Sequence, residues 1–173
     1  MPTLTAGTYP PSFSRYINLV GAESVEEAIK KYSNEILNFF SELSAEKTKY
    51  RYAEGKWNIK EMLQHIIDAE RIFAYRALCI ARLDKTPLPG FDENNYALAS
   101  NADERSWESI LEEFEAVRKS TDLLLKSFTP AQLQQEGITN NHPNTTIAIS
   151  FVIFGHILHH INIIKERYLQ EEV

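Results

Sequence analysis

Four long segments of the chain repeat their apolar residues every three or four positions. They cover residues 25–43, 58–83, 107–128 and 147–169. This spacing places the apolar side chains of each segment on one face of a helix. No segment alternates apolar and polar residues convincingly, so no strands are predicted. The pattern predicts an all-α fold, and four helices of about 20 residues predict a four-helix bundle.

Two of the four helices carry clear signals at their beginning. Ser24 is followed three residues later by Glu27, and Asn58 is followed at the same spacing by Glu61. This spacing is typical of a capping box, in which the two side chains bind backbone N–H groups at the start of the helix. The sequence therefore predicts that helices begin just after Ser24 and at Asn58.

The connections after the second and third helices are long. The second helix is broken by TPLPGFDENN (86–95), and the third by Thr129–Pro130 and the polar stretch GITNNHPNTT (137–146). Both connections exceed a tight turn, so a crossover is allowed and the order of the helices in the bundle stays open.

The size of the chain favours one domain. It has 173 residues, of which 43% are hydrophobic, enough for one sizeable core. Residues 16–173 are predicted to form a single bundle domain. Residues 1–15, rich in Pro, Ser and Thr, are predicted to form an extended N-terminal arm.

Charge and cysteine content exclude several classes of partner and site. The net charge is −6 and basic residues are scattered among acids, which argues against binding nucleic acid or an anionic membrane. No signal peptide or membrane span is recognised, so a cytoplasmic location is predicted. Cys79 is the single cysteine, which excludes an internal disulfide and any multi-thiolate zinc site.

The last helix contains three of the five histidines of the chain, within GHILHHINIIKERYL (155–169). His156 and His160 are one turn apart and share the apolar face of the helix. His159 falls on the polar face and is predicted to lie at the surface. Two imidazoles that point into a bundle need partners, because an unpaired buried polar group is costly.

A third inward-facing imidazole is predicted on the second helix, at His65. If the second and fourth helices are neighbours, His65, His156 and His160 converge. Three neutral nitrogens with open positions beside them are a common catalytic metal site, and imidazole suits Zn, Ni, Fe or Cu.

Simpler roles are open for the same residues. The histidines could be satisfied by carbonyl groups or carboxylates, with Glu61 or Asp68 as a partner of His65. His142, in a polar stretch, is interpreted as a turn residue. Cys79 lies about 20 Å along the helix from His65 and is interpreted as a core residue.

Three stretches together carry a resemblance to a known family: GKWNIKEMLQHIIDAERIFAYRAL (55–78), KTPLPGFDENNYA (85–97) and GHILHHINIIKERYL (155–169). From about position 16 to 169, the chain resembles the DinB-like, or DinB/YfiT-like, metalloenzymes. The resemblance implies a four-helix bundle and a homodimer. It also implies that one divalent transition metal, such as Zn, Ni, Fe or Mn, is held by one histidine of the second helix and two of the last. On this sequence these are His65, His156 and His160, with His159 as a neighbour.

The resemblance also implies a leading function. Relatives of this kind include transferases that use low-molecular-weight thiols such as bacillithiol or mycothiol. A metal ion would lower the pKa of such a thiol, so that the thiolate attacks a small electrophilic substrate. Arg76, Tyr96, Arg167 and the acids of GFDEN (90–94) could bind the thiol or the substrate, although helix-to-loop salt bridges are an alternative role.

Two other functions remain open. In a metal-dependent hydrolase, the ion would activate water against an ester, amide or phosphate, with Glu61 or Asp68 as a general base or as a carboxylate that orients His65. In the other, the protein is a stress-response bundle that binds a metal without turnover.

Overall fold

The computed structural model describes residue 4 and residues 7–169. Its helices and strands, labelled in chain order, have the following bounds. They are α1 (Ser14–Ile17), α2 (Val25–Ser41), α3 (Ile59–Ala81), α4 (Glu93–Ala99), α5 (Trp107–Lys126), α6 (Pro130–Leu133), β1 (Glu136–Thr139), β2 (His142–Thr145) and α7 (Thr146–Arg167), with short 3-10 turns at Pro11–Phe13, Lys47–Lys49 and Ala102–Glu104.

The four long helices α2, α3, α5 and α7 form the predicted four-helix bundle. Helix α2 packs against α5 and α7, and α3 packs against the same two helices. The first and second long helices are therefore diagonal to each other, although they are consecutive in the chain. In a simple up-down bundle the second and fourth long helices would be diagonal instead. The order that the sequence left open is thus one with a crossover, and it makes α3 and α7 direct neighbours.

Capping interactions at α2 and α3 follow the sequence signals closely. The Asn58 side chain accepts a hydrogen bond from the Glu61 N–H at 2.9 Å, and the Glu61 carboxylate accepts one from the Asn58 N–H at 2.8 Å. At α2, Ser24 Oγ accepts from the Glu27 N–H, but the Glu27 carboxylate accepts from the N–H of Glu23, one residue before the cap. Of these two helices, only α3 therefore has a complete capping box.

The stretch interpreted as a polar loop before the last helix is a β-hairpin. Strands β1 and β2 pair antiparallel, with Thr139 opposite His142. The two residues between them, Asn140 and Asn141, have φ values of 48° and 61°. A two-residue turn with both residues in the left-handed region suits a hairpin, and asparagine tolerates this region well. The pair of asparagines was the signal for this turn, so the expectation of no strand here was wrong.

A short helix also interrupts the connection between α3 and α5. The Asp92 side chain accepts hydrogen bonds from the N–H groups of Asn94 and Asn95, and α4 begins at the next residue after Asp92. The helix is only seven residues long and buries one of them, Ala97. A helix this short shows too little apolar periodicity to be predicted from the sequence.

The N-terminal segment is only partly an extended arm. Residues Pro11–Phe13 form a 3-10 turn and Ser14–Ile17 form α1, which packs against α7. The prediction of an extended segment over 1–15 is therefore wrong from residue 11 onward. Positions 1–3, 5 and 6 lie outside the described residues.

Helix α7 is unusually apolar. By length and composition alone, it is the one described helix that could cross a membrane. The sequence did not predict this. Most of its apolar window, 78%, is nevertheless buried inside the fold. This burial is typical of a core helix surrounded by its neighbours.

A buried ionic cluster links three of the four long helices. Arg118 of α5 is 1% exposed and donates hydrogen bonds to Glu70 of α3, at 2.7 Å, and to Asp122. Its guanidinium carbon also lies 4.9 Å from the centre of the Phe154 ring of α7. Burial raises the pKa of the Glu70 carboxyl, and the charge of Arg118 opposes this rise. The cluster fixes the position of α3 against α5.

Replacing Arg118 by methionine is expected to lower the free energy of unfolding by about 3–5 kcal/mol, because Glu70 and Asp122 lose their buried counter-charge. Urea denaturation measures the change. Arg71→Met is the matched control, since Arg71 is half exposed and pairs with Glu113 at the surface; its loss is expected to stay below about 1 kcal/mol. Equal losses in the two variants would contradict a special role for the buried cluster.

Candidate metal centre

Three histidines meet in the interior between α3 and α7. His156 Nε2 lies 3.1 Å from His65 Nε2 and 3.1 Å from His160 Nε2. One ring nitrogen of each histidine lies within 4.8 Å of the others, and all three residues are buried. The structure thus brings together the three residues predicted as metal ligands.

Helix geometry and apolar neighbours hold the three rings in place. The rings of His156 and His160, one turn apart on α7, have centres 4.6 Å apart. The Trp57 ring centre is 4.9 Å from that of His65, and the Phe73 ring centre is 5.8 Å from that of His156. Aromatic side chains therefore pack against the rings of His65 and His156.

The surroundings keep the three imidazoles neutral. Burial lowers the pKa of His65 to about 4, although the charge of Glu93 opposes this shift. Burial and the neighbouring histidines lower the pKa of His160 to about 3 and that of His156 well below its usual value. A metal ion binds the neutral form of imidazole. At neutral pH all three rings are in that form.

The donor set fits a metal ion better than a hydrogen-bonded cluster. A neutral imidazole has one N–H and one lone pair, so three facing Nε2 atoms cannot all satisfy one another. His160 Nδ1 is also buried without a partner among the described residues. Two nitrogens that each lie about 2.0–2.1 Å from one tetrahedral zinc ion are about 3.3 Å apart. Two of the three pairs of nitrogens, at 3.1 Å, are close to this value.

The carboxylates expected beside His65 are directed elsewhere. Glu61 accepts hydrogen bonds from the Asn58 N–H and from Arg51, and Asp68 accepts one from Gln64. Neither carboxylate has a hydrogen bond to His65, so the roles suggested for them as partners of that ring are not supported. The acid whose charge acts on His65 is Glu93 of α4.

A cavity of about 450 Å³ opens beside the three histidines. Its walls come from the bundle and from three segments outside it: the N-terminal segment, the connection that carries α4, and the hairpin. Among the described residues of its lining, Glu93 is the one carboxylate. The segments outside the bundle contribute Phe13, Arg15, Tyr16, Phe91, Glu93, Asn140 and His142 to the lining.

His159 and His142 lie in positions that differ from those predicted, which were the surface for His159 and a turn for His142. His159 is half-buried, with its ring centre 5.4 Å from that of Tyr16, and it does not belong to the cluster. It was predicted at the surface, and the packing of α1 over it explains the difference. His142 begins β2, is exposed, and lines the cavity. Cys79, interpreted as a core residue, is half-buried.

The other predicted ligand-binding residues separate into two groups. Arg167 donates to the Tyr52 hydroxyl at 3.0 Å, and Asp92 caps α4, so both have structural partners. Tyr96 is exposed and does not line the cavity beside the histidines. Arg76 and Glu93 do line it. They are the two predicted residues that a substrate in this cavity could reach.

Helix α1 covers the site through a very close backbone contact with α7. The Tyr16 ring centre lies 5.5 Å from that of His156. A Cβ atom added at Gly155 would lie 2.1 Å from the backbone oxygen of Tyr16. Only glycine at position 155 lets the N-terminal segment approach the site this closely. This contact between distant parts of the chain has no signal in the sequence beyond the glycine itself.

Comparison with known families places the chain in one group of proteins. The sequence pattern of the DinB superfamily matches residues 28–164. The chain belongs to the DinB superfamily. This matches the resemblance seen in the sequence, and all three clustered histidines lie within the matched region.

Two relatives of this DinB-superfamily protein are informative. A protein of Oceanobacillus iheyensis named "putative metal-dependent hydrolase" is 25% identical over 151 residues, covering 84% of this chain and 86% of the relative. YfiT from Bacillus subtilis, described as "a probable metal-dependent hydrolase with an unusual four-helix bundle topology", superposes with a TM-score of 0.69 at 14% identity, over 96% of this chain and 90% of YfiT. At this identity the superposition shows the shared fold.

Replacing Gly155 by alanine in this DinB-superfamily protein is expected to displace α1. The added methyl group collides with the Tyr16 backbone, which cannot rotate away, so a loss of about 1–3 kcal/mol in the free energy of unfolding is expected. Hydrogen exchange should become faster at residues 14–17. In the control Gly21→Ala, the added atom meets the flexible end of Lys31 at 3.3 Å, and a change within about 0.5 kcal/mol is expected. Unchanged exchange at residues 14–17 in Gly155→Ala would contradict the close contact.

Proposed function

We propose that this protein is a metal-dependent hydrolase that holds one divalent transition-metal ion through His65, His156 and His160. The observation that carries the proposal is the convergence of three buried, neutral imidazoles beside an open cavity. The names of the two relatives support the same reaction class. Imidazole donors do not select one ion, so Zn, Ni, Fe and Mn are all candidates.

The ion and the protein chain would have separate roles in the reaction. A divalent ion held at this site would supply Lewis-acid activation of water and of the bond to be cleaved. The three histidines would fix the position of the ion from two packed helices, which are more rigid than loops. Trp57 and Phe73 pack against the rings of His65 and His156. The cavity leaves room for a small-molecule substrate beside the histidines.

Glu93 is proposed as the general base. It is the one carboxylate that the described part of the chain contributes to the cavity lining, and its charge acts on His65. It does not belong to the cluster of potential ligands, so it is free to take a proton during hydrolysis. This role replaces the one considered for Glu61 and Asp68, whose carboxylates have other partners.

The thiol S-transferase expected from the family resemblance has weaker support. The relatives' names describe hydrolases, and the lining residues contain no feature that identifies a thiol cofactor. A metal-binding bundle without turnover also stays a prediction. The homodimer rests on the resemblance alone.

The metal site is tested by elemental analysis of tag-free protein incubated with Zn, Ni, Mn or Fe. The wild type is expected to bind about one ion per chain, and His65→Ala, His156→Ala and His160→Ala are expected to lose it. His159→Ala is the control on the same helix and should keep the ion, since its ring lies outside the cluster. A wild-type protein that stays empty with all four metals would show that the histidines are structural.

The role of Glu93 is tested with metal-loaded protein and a panel of para-nitrophenyl esters, para-nitroanilides and para-nitrophenyl phosphate. Glu93→Gln is expected to keep the metal and to lower kcat by about 10²–10⁴-fold, because the proton acceptor is removed. Glu115→Gln, at an exposed position of α5, is the matched control and should retain full activity.

The same panel separates the candidate functions when it is run beside a set of low-molecular-weight thiols with a generic electrophile. Turnover of the thiols without hydrolysis would favour the transferase. Metal-loaded protein that is inactive in both assays would favour the binding bundle.

A further inference from the structure

Arg76 of α3 is a buried cation without an acidic partner. It is 5% exposed. Among residue 4 and residues 7–169, no carboxylate oxygen lies within 4.0 Å of its guanidinium nitrogens. The contrast with Arg118 is clear, since that equally buried arginine is bonded to two acids. A buried charge is ordinarily paired, so the unpaired state of Arg76 requires an explanation.

The guanidinium of Arg76 is held firmly but keeps donors available. One terminal nitrogen donates to the Pro89 carbonyl at 2.7 Å. Its central carbon lies 5.8 Å from the centre of the Phe73 ring and 6.0 Å from that of Phe91. A guanidinium carries five N–H donors, and this one has a single protein hydrogen bond among the described residues. None of its nitrogens is fully enclosed without a partner, so its remaining donors are reachable from the space around them.

Arg76 lines the same cavity as the three histidines. Phe73 contacts both groups, because its ring centre lies 5.8 Å from the guanidinium carbon and 5.8 Å from the ring centre of His156. The guanidinium and the His156 ring are therefore no more than twice this distance apart. A small molecule can reach both at once.

The charge of the cavity differs in sign from that of the whole chain. The chain has a net charge of −6. Among the described lining residues, the charged ones are Arg15, Arg76 and Glu93, which leaves one excess positive charge beside the three neutral clustered histidines. Burial lowers the pKa of the Arg76 guanidinium without an acid to oppose the shift, which is the situation that a bound anion would relieve.

We propose that Arg76 is the anchor for an anionic group of the substrate, and that the hydrolase acts on small molecules carrying a carboxylate or phosphate near the bond to be cleaved. The proposal rests on the proposed function and specifies its substrate class. The planar guanidinium matches the two oxygens of a carboxylate or phosphate through paired hydrogen bonds. Arg76 would act in binding and selection, whereas the histidines and Glu93 would serve the chemistry.

A second cavity also borders Arg76, but it does not include the three clustered histidines. It is lined by Tyr75, Leu88 and Tyr96 among others, and contains no histidine. The other cation in its lining, Arg71, is paired with Glu113. An anion placed there would be separated from the candidate metal centre, and its binding would not affect the selection of a substrate for hydrolysis.

The selectivity test uses metal-loaded protein and two matched probes: the mono-para-nitrophenyl ester of succinate, which carries a free carboxylate, and the corresponding methyl ester, which does not. The wild type is expected to favour the anionic probe in kcat/KM by about 10–100-fold, mainly through KM. Arg76→Met should remove this preference by lowering kcat/KM on the anionic probe. Arg82→Met, an exposed arginine at the end of the same helix, removes the same charge and should keep the preference. A preference for the anionic probe that survives in Arg76→Met would overturn the proposal.

A binding measurement separates this proposal from the proposed function. Succinate and inorganic phosphate are titrated calorimetrically into wild type, Arg76→Met and Arg82→Met at constant ionic strength. Affinity that falls about tenfold or more in Arg76→Met alone supports the anchor, even if neither ester is hydrolysed. Equal affinity in all three proteins overturns it, even if hydrolysis and metal binding are found. If Arg76→Met does not fold, Arg76→Lys replaces it, because a lysine keeps the charge but loses the paired hydrogen bonds, and the same loss of affinity is expected.

Discussion

The packing of α7 against α3 is the constraint on which the rest of the structure depends. These are the most closely packed of the long helices, and the three clustered histidines lie at their contact. In a bundle with simple up-down order the second and fourth long helices would face each other diagonally. The crossover makes them neighbours, so two imidazoles from one helix and one from the other meet at hydrogen-bonding distance. The long connections that allow this order also supply part of the cavity wall.

The sequence was sufficient for the features that depend on helical periodicity. The faces of α3 and α7 identify His65, His156 and His160 as inward-pointing without any knowledge of the order of the helices. The same argument cannot decide which helices are neighbours, because apolar faces carry no information about partners. The hairpin and α4 were missed because elements of four and seven residues hold too few positions for a period to be seen.

The contacts of charged residues are a second feature that the sequence does not determine. Glu61 lies one turn from His65, yet its carboxylate completes the cap of α3, a role that its spacing from Asn58 already indicated. The special position of Arg76 follows from what does not contact it, and a missing partner leaves no pattern in a sequence. The close approach of Tyr16 to Gly155 also leaves no pattern in the sequence, because it joins segments far apart in the chain.

The rim of the cavity, formed by the connection after α3 and by the hairpin, is held together differently from the helices that carry the three histidines. The connection after α3 joins the hairpin through Leu88, whose N–H donates to Ile138 and whose carbonyl accepts from Asn140. This rim is fastened mainly by backbone hydrogen bonds, which depend little on side-chain identity, whereas the histidines stand on packed helices. Side chains on the rim can therefore be exchanged without moving the histidines. A bundle built in this way can acquire new substrates by altering its entrance, and keep one reactive centre throughout.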